Sequence, residues 1–183
     1  MNEPKKIEKP CQAGFSLLEL LLVIGVGTTL LLSGIGVYRI ILKDKTANDT
    51  IQAILMTKSG IQRLFRTERT YGTVSLLNTA ISAKIFPGTV HVDTAGPTVY
   101  HPFGGTMDIT GAGSSFTITV SGLGTSPCIM IGEALNPETA DDMLSLTVDS
   151  GAVTTFDETN PATPPGLAGA CTSNMNQMIF TFM

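Results

Sequence analysis

The sequence predicts an α+β chain: one long N-terminal helix packed on an antiparallel sheet. Three observations predict it. No proline occurs between Pro10 and Pro87, so nothing breaks a helix across that span. Within the span an apolar run, residues 15–38, passes into a segment with helical spacing of its apolar positions. Beyond Tyr71 the pattern shortens to Thr/Val/Ile/Phe-rich segments bounded by Gly and Pro, the signature of short strands.

The apolar run carries one charge, Glu19. As a helix, residues 15–38 reach roughly 36 Å, enough to cross a bilayer core of about 30 Å. The segment before it, with Lys5, Lys6 and Lys9, is net positive, as in a secretory signal. The run is longer than the apolar part of such a signal, and no small-x-small site with a clean stop follows it, since the sequence continues SGIGVYRIILKDK. The apolar helix is therefore expected to remain in the product. A carboxylate in hydrocarbon costs about 3 kcal/mol at mid-span, so Glu19 requires a partner. A cut between Gly14 and Phe15 would supply one. Gly14 fits a tight protease cleft, and Phe15 would become an N-terminal amine one helical turn from Glu19. The carboxylate would then sit in the first turn, where the helix dipole favours an anion. It would also pair with an amine, its own or that of another copy.

Residues 39–70 form the amphipathic continuation. Ala47, Ile51, Ile54, Leu55, Ile61, Leu64 and Phe65 recur at helical spacing and are expected to face the domain, with the helix running to about Thr67. Lys58 and Gly60 interrupt this stripe. Gly25, Gly27, Gly34 and Gly36 weaken the first half by about 1 kcal/mol each relative to Ala. They suit close packing between membrane helices or local melting on leaving the membrane.

Residues 71–183 form the globular part. Strands are expected at 98–101, 106–110, 115–122, 144–150, 153–156 and 178–182. A partly helical connection is expected around 74–83. A short helix is expected over 128–135, with Ser126 as cap and Pro127 at its first position. Residues 157–170 read as a Pro/Ala/Gly loop.

The net charge of −4 conceals a gradient. Residues 39–84 carry eight Lys/Arg and three Asp/Glu, whereas residues 85–183 carry nine Asp/Glu and no Lys or Arg. The two parts suit contact with each other, within one chain or between copies. Of the three cysteines, Cys11 precedes the apolar run and Cys128 and Cys171 follow it. If the run separates compartments, the latter two can pair in an oxidising space, closing a loop worth on the order of 4 kcal/mol. Two buried free thiols are the alternative.

Gly14, Phe15 and Glu19, placed in GFSLLELLLVIGVGTTLL after a basic leader, resemble the N-terminus of type IV prepilins. In that family a prepilin peptidase cuts after the glycine and N-methylates the new end. The order Tyr71-Gly72, Ile85-Phe86-Pro87, HPFGG (101–105), FTITVSGL before Cys128, and Cys171 before MIFTFM resembles the type IVb pilins, among them bundle-forming, toxin-coregulated and conjugative thin-pilus pilins. Two features, the 14-residue leader and Phe15, lie closer to type IVa.

The resemblance implies a pilin ladle fold divided into a leader (1–14), a membrane-spanning and filament-core half-helix (15–38), an amphipathic half-helix (39–70) and a sheet domain with a disulfide-bounded C-terminal region (71–183). It implies a structural subunit, most simply a major pilin, that polymerises with copies of itself and has no catalytic role or cofactor. The implied partners are prepilin peptidase, an assembly ATPase with its membrane platform, and an outer-membrane secretin. The precursor would sit in the inner membrane with its domain in the periplasm, and the product on the cell surface, for adhesion, aggregation or conjugation. A type II secretion pseudopilin and a membrane-anchored periplasmic binding domain are the alternatives.

Other chemistry is weakly signalled. His91, Asp93 and His101 match no metal-ligand spacing and read as solvated loop residues. Glu138, Asp141 and Asp142 lack the spacing of a calcium loop. Phosphate-loop, H-E-x-x-H, C-x-x-C and G-x-S-x-G motifs are missing from the sequence. Gly104-Gly105 reads as a turn feeding a strand. Lys58, Arg63, Arg66 and Arg69 read as a polar helix face or a contact for another subunit's acidic domain; nucleic acid is not expected.

Overall fold

A computed structural model describes residues 16–68, 70–93, 95–138, 140 and 142–183; within the first helix positions 34, 36, 37, 39 and 40 are described by their backbone alone. The proline-free span folds as one helix, α1 (Leu17–Leu64), with Glu19 in its first turn and Arg63 in its last. Both charges complement the helix dipole. The expected end near Thr67 comes three residues early. The chain turns there so that the Phe65 ring packs on Tyr71, with centroids 5.3 Å apart.

The chain divides into two compact units, 1–41 and 42–183. In the first, every large apolar side chain described between Leu17 and Ile35 is more than half exposed, from 51% at Val26 to 76% at Leu17. Gly25 and Gly27 face open space. Among the described residues no helix is long and apolar enough to cross a membrane.

In the second unit, α1 meets a seven-stranded antiparallel sheet. Its strands are β1 (His91–Asp93), β2 (Thr98–Tyr100), β3 (Thr106–Ala112), β4 (Ser115–Leu123), β5 (Met143–Asp149), β6 (Val153–Phe156) and β7 (Asn176–Phe182). Their spatial order is β1-β2-β3-β4-β7-β5-β6. The C-terminal strand is thus central, paired with β4 through Ile118↔Phe180 and with β5 through Leu146↔Phe180. Burial alternates along β3, β4, β5 and β7, as it must when one sheet face is covered and the other meets water. Ile109, Phe116, Ile118, Val120, Leu146 and Phe180 enter the core with Ala53, Ile54 and Ile61 of α1. Thr117, Thr119, Thr147 and Thr181 occupy the opposite face.

Four expectations are corrected. First, the buried face of α1 holds the expected Ala47, Ile54 and Ile61, but two expected leucines lie outside it and small polar residues lie inside it. Leu55 and Leu64 are exposed, whereas Thr50, Ala53 and Thr57 are fully buried. Small side chains let the sheet approach, and Thr50 satisfies its hydroxyl by donating to the Thr46 carbonyl at 2.9 Å. Second, the short helix α3 spans Thr125–Ala134, with Gly124 as its cap. Ser126 and Pro127 lie inside the first turn, where an N–H has no helical partner and proline is tolerated. Third, the expected loop contains a helix, α4 (Pro164–Ala170), capped by the Thr163 hydroxyl accepting from the Gly166 N–H. Fourth, β1 was not expected; only three residues long, it pairs with β2 at the sheet edge. The expected connecting helix is present as α2 (Leu77–Ser82).

Candidate assembly site

Gly14 and Phe15 lie outside the described residues, as do Cys11, Arg69 and Asp141. Glu19 is exposed in the first turn of α1. No hydrogen bond or ion pair reaches it among the described residues. It is therefore a carboxylate on an exposed apolar helix, with nothing in the described chain to neutralise it.

Cys128 and Cys171 form a disulfide with Cα atoms 5.9 Å apart. Both are fully buried. Cys128 lies in α3 and Cys171 caps α4, so the bridge joins the two helices that flank the last strand. Glycine completes the join: a Cβ on Gly132 would stand 2.6 Å from Leu167 Cδ2. Asn176, at the start of β7, is fully buried and donates through Nδ2 to the carbonyls of Leu123 and Ser173. Disulfide and amide together fix the C-terminal strand to the domain.

The interruptions in the α1 stripe prove to be contact points. Gly60 is where residue 85 packs against the helix: a Cβ there would stand 2.7 Å from Ile85 Cβ. Lys58 is the one ion-paired base among the described residues, donating from Nζ to Asp142 Oδ1. The same ammonium lies 5.1 Å from the centre of the Phe182 ring. Gln62 adds Nε2 bonds to Asp142 Oδ2 at 3.2 Å and to the Met183 carbonyl at 2.9 Å. Burial pushes the Asp142 carboxyl up, but the hydrogen bonds from Lys58 and Gln62 and the lysine charge outweigh it and hold the carboxyl below its ordinary value.

His101, expected from its loop setting to be solvated, is buried. The Phe103 N–H points at Nδ1, which makes Nδ1 the acceptor, and Nε2 faces the Ser121 carbonyl at 3.0 Å. Burial lowers its pKa, against the opposing effect of the Ser121 bond. The imidazole spans a turn closed by Gly104 N–H to the His101 carbonyl, so HPFGG is a turn that feeds β3. Gly105 is required by close approach, since a Cβ there would stand 1.8 Å from the Ser121 oxygen. Among the described residues no group of His, Cys, Asp or Glu is arranged to hold a metal.

This arrangement of helix, antiparallel sheet and disulfide-bounded last strand aligns with the crystal structure of TcpA, a type IV pilin from Vibrio cholerae El Tor biotype. The TM-score is 0.55 at 15% identity, over 76% of this chain and 99% of that one. No curated protein matches the sequence. The fold is that of a type IV pilin subunit. Residues 44–183 match the family described as PilS N terminal. The chain belongs to that family, and its fold is that of the type IV pilins.

Proposed function

We propose that this chain is the major subunit of a type IV pilus. The carrying observation is the N-terminal part of α1: an exposed apolar helix whose carboxylate, Glu19, has no partner among the described residues. Exposed apolar surface of this extent requires lipid or other helices. The leader is removed between Gly14 and Phe15 by prepilin peptidase, which methylates the Phe15 amine. Before assembly the helix spans the inner membrane with the domain in the periplasm. An assembly ATPase with its platform then draws the subunit into a filament that leaves through a secretin. Inside the filament Glu19 pairs with the Phe15 amine of a neighbouring copy. That pairing removes the cost of a lone charge and sets the entering subunit's axial position. The sheet and the disulfide-bounded region form the outer surface, available for adhesion, aggregation or conjugative contact.

Mass spectrometry of the N-terminus, in cells with and without a functional prepilin peptidase, tests the reading. A methylated Phe15 start that depends on the peptidase is the expected result. A Met1 start in both strains contradicts it and favours a membrane-anchored monomer.

A further inference from the structure

Two surface grooves of the domain carry opposite charge. One is lined by Leu55, Met56, Gly60, Arg63, Lys84 and Ile85 and holds about 310 Å³. Its apolar floor is open to solvent, with Leu55 40% and Met56 51% exposed. No carboxylate lines it. Lys84 occupies a left-handed backbone position, φ 53°, where glycine would cost less; the chain carries an ammonium there despite that cost. The second groove, of about 230 Å³, is lined by Glu138, Leu144, Glu158 and Met183 among others, and by no base. It opens beside Asp142 and Met183, against the Lys58–Gln62 flank of α1. Neither Arg63 nor Lys84 has an ion-pair partner among the described residues, and the same holds for Glu138 and Glu158. No base from residues 85–183 can serve those carboxylates, because that stretch contains none.

We infer that the basic groove of one copy receives the acidic groove of the next, with Arg63 and Lys84 facing Glu138 and Glu158 and Leu55 and Met56 covering Leu144 and Met183. The occupant is a second copy of this chain because each groove supplies what the other lacks: charge of opposite sign and exposed apolar side chains to be covered. The contact joins two different patches, so it is heterologous, and it propagates without closing when the copies also advance along an axis. The inference rests on the filament reading and adds a lateral seam between domains to the helix packing.

Full-length chain in its own cells supplies the test. Sheared filaments are treated with a carbodiimide, which condenses touching carboxylates and amines. The expected product is a covalent dimer whose cross-link maps to Lys84 and Glu138 or Glu158, and which Lys84→Arg removes while filaments persist. A charge swap gives a second readout. Lys84→Glu alone, or Glu138→Lys with Glu158→Lys, is expected to cut filament yield about tenfold, and all three together to restore it to within about threefold. Protein level and an intact Cys128–Cys171 bridge establish that each variant folds. Wild-type filaments whose Lys84 gives no dimer, or gives one only through other carboxylates, overturn the seam and leave the filament reading standing. Binding of the basic groove to anionic vesicles or DNA, with filament yield indifferent to the swap, also overturns it. A wild-type chain that makes no filaments removes the reading and the seam together.

Discussion

Lys58 and Asp142, 84 positions apart in sequence, form the ion pair that ties α1 to the start of β5 and, through Gln62, to the C-terminal carbonyl. The lysine side chain is 13% exposed and the aspartate 39%, so the ammonium is the member that depends on its partner. Asp142→Asn is expected to cost about 1–3 kcal/mol by leaving that ammonium poorly compensated. Because the Asp142 carboxyl is lowered in the folded chain, its contribution is complete above the ordinary carboxylate value of about 4 and is lost as pH falls through the folded value. Thermal unfolding of the detergent-solubilised chain at stepped pH checks both points. The variant should show a shallower acid arm, and an unchanged arm counts against the pair.

His101 is expected to give a second, separate pH dependence. Its folded pKa is lowered, so the unfolded chain takes up a proton first as pH falls. The contribution is therefore present above about 6.5 and declines below it. A protonated Nδ1 would also point a donor at the Phe103 N–H. His101→Gln should flatten the unfolding profile between neutral pH and pH 5, and a profile identical to wild type would remove the buried, neutral assignment.

Gly60→Val is expected to destabilise the domain by about 1–3 kcal/mol through overpacking against residue 85. Ile85→Ala in the same chain should recover part of that loss. A double-mutant cycle of denaturant unfolding reads the coupling; additive effects would show that the two residues do not touch.

Loss of the disulfide in Cys128→Ser with Cys171→Ser is expected to cost about 2–5 kcal/mol and to loosen α3 and α4 while the centre of the sheet stays protected. Hydrogen exchange resolves the two regions. Uniform loss of protection across β3 and β4 would mean that the bridge supports the whole domain instead.

Much of the fold is legible in the sequence, for an identifiable reason. A sheet with one covered face imposes a period of two, and FTITV and MIFTF carry that period in their own residues. Elements that depend on distant partners leave a weaker trace. Gly60 and Lys58 look like breaks in a helical stripe, because Ile85 and Asp142, which explain them, are far along the chain. Thr50 and Thr57 are buried beside Ile54 and Ile61 while Leu55 and Leu64 are exposed, since depth on α1 follows the approach of the sheet. The helix Pro164–Ala170 could have been found: Thr163 followed by two prolines is a start signal, obscured by a loop-like composition. His101 gave no local sign of burial, because the Ser121 carbonyl it faces comes from another strand. In the candidate site, the pairing of Cys128 with Cys171 and the position of Glu19 in the first helical turn were both legible. The Lys58–Asp142 pair was foreshadowed only by the charge gradient.

On the filament reading proposed above, Glu19 serves assembly and not folding or insertion. Sheared-filament yield from Glu19→Ala, beside the amount of the same variant in the membrane fraction, tests it most directly. Wild-type amounts in the membrane and no filaments are the expected result. Abundant filaments from Glu19→Ala would contradict it.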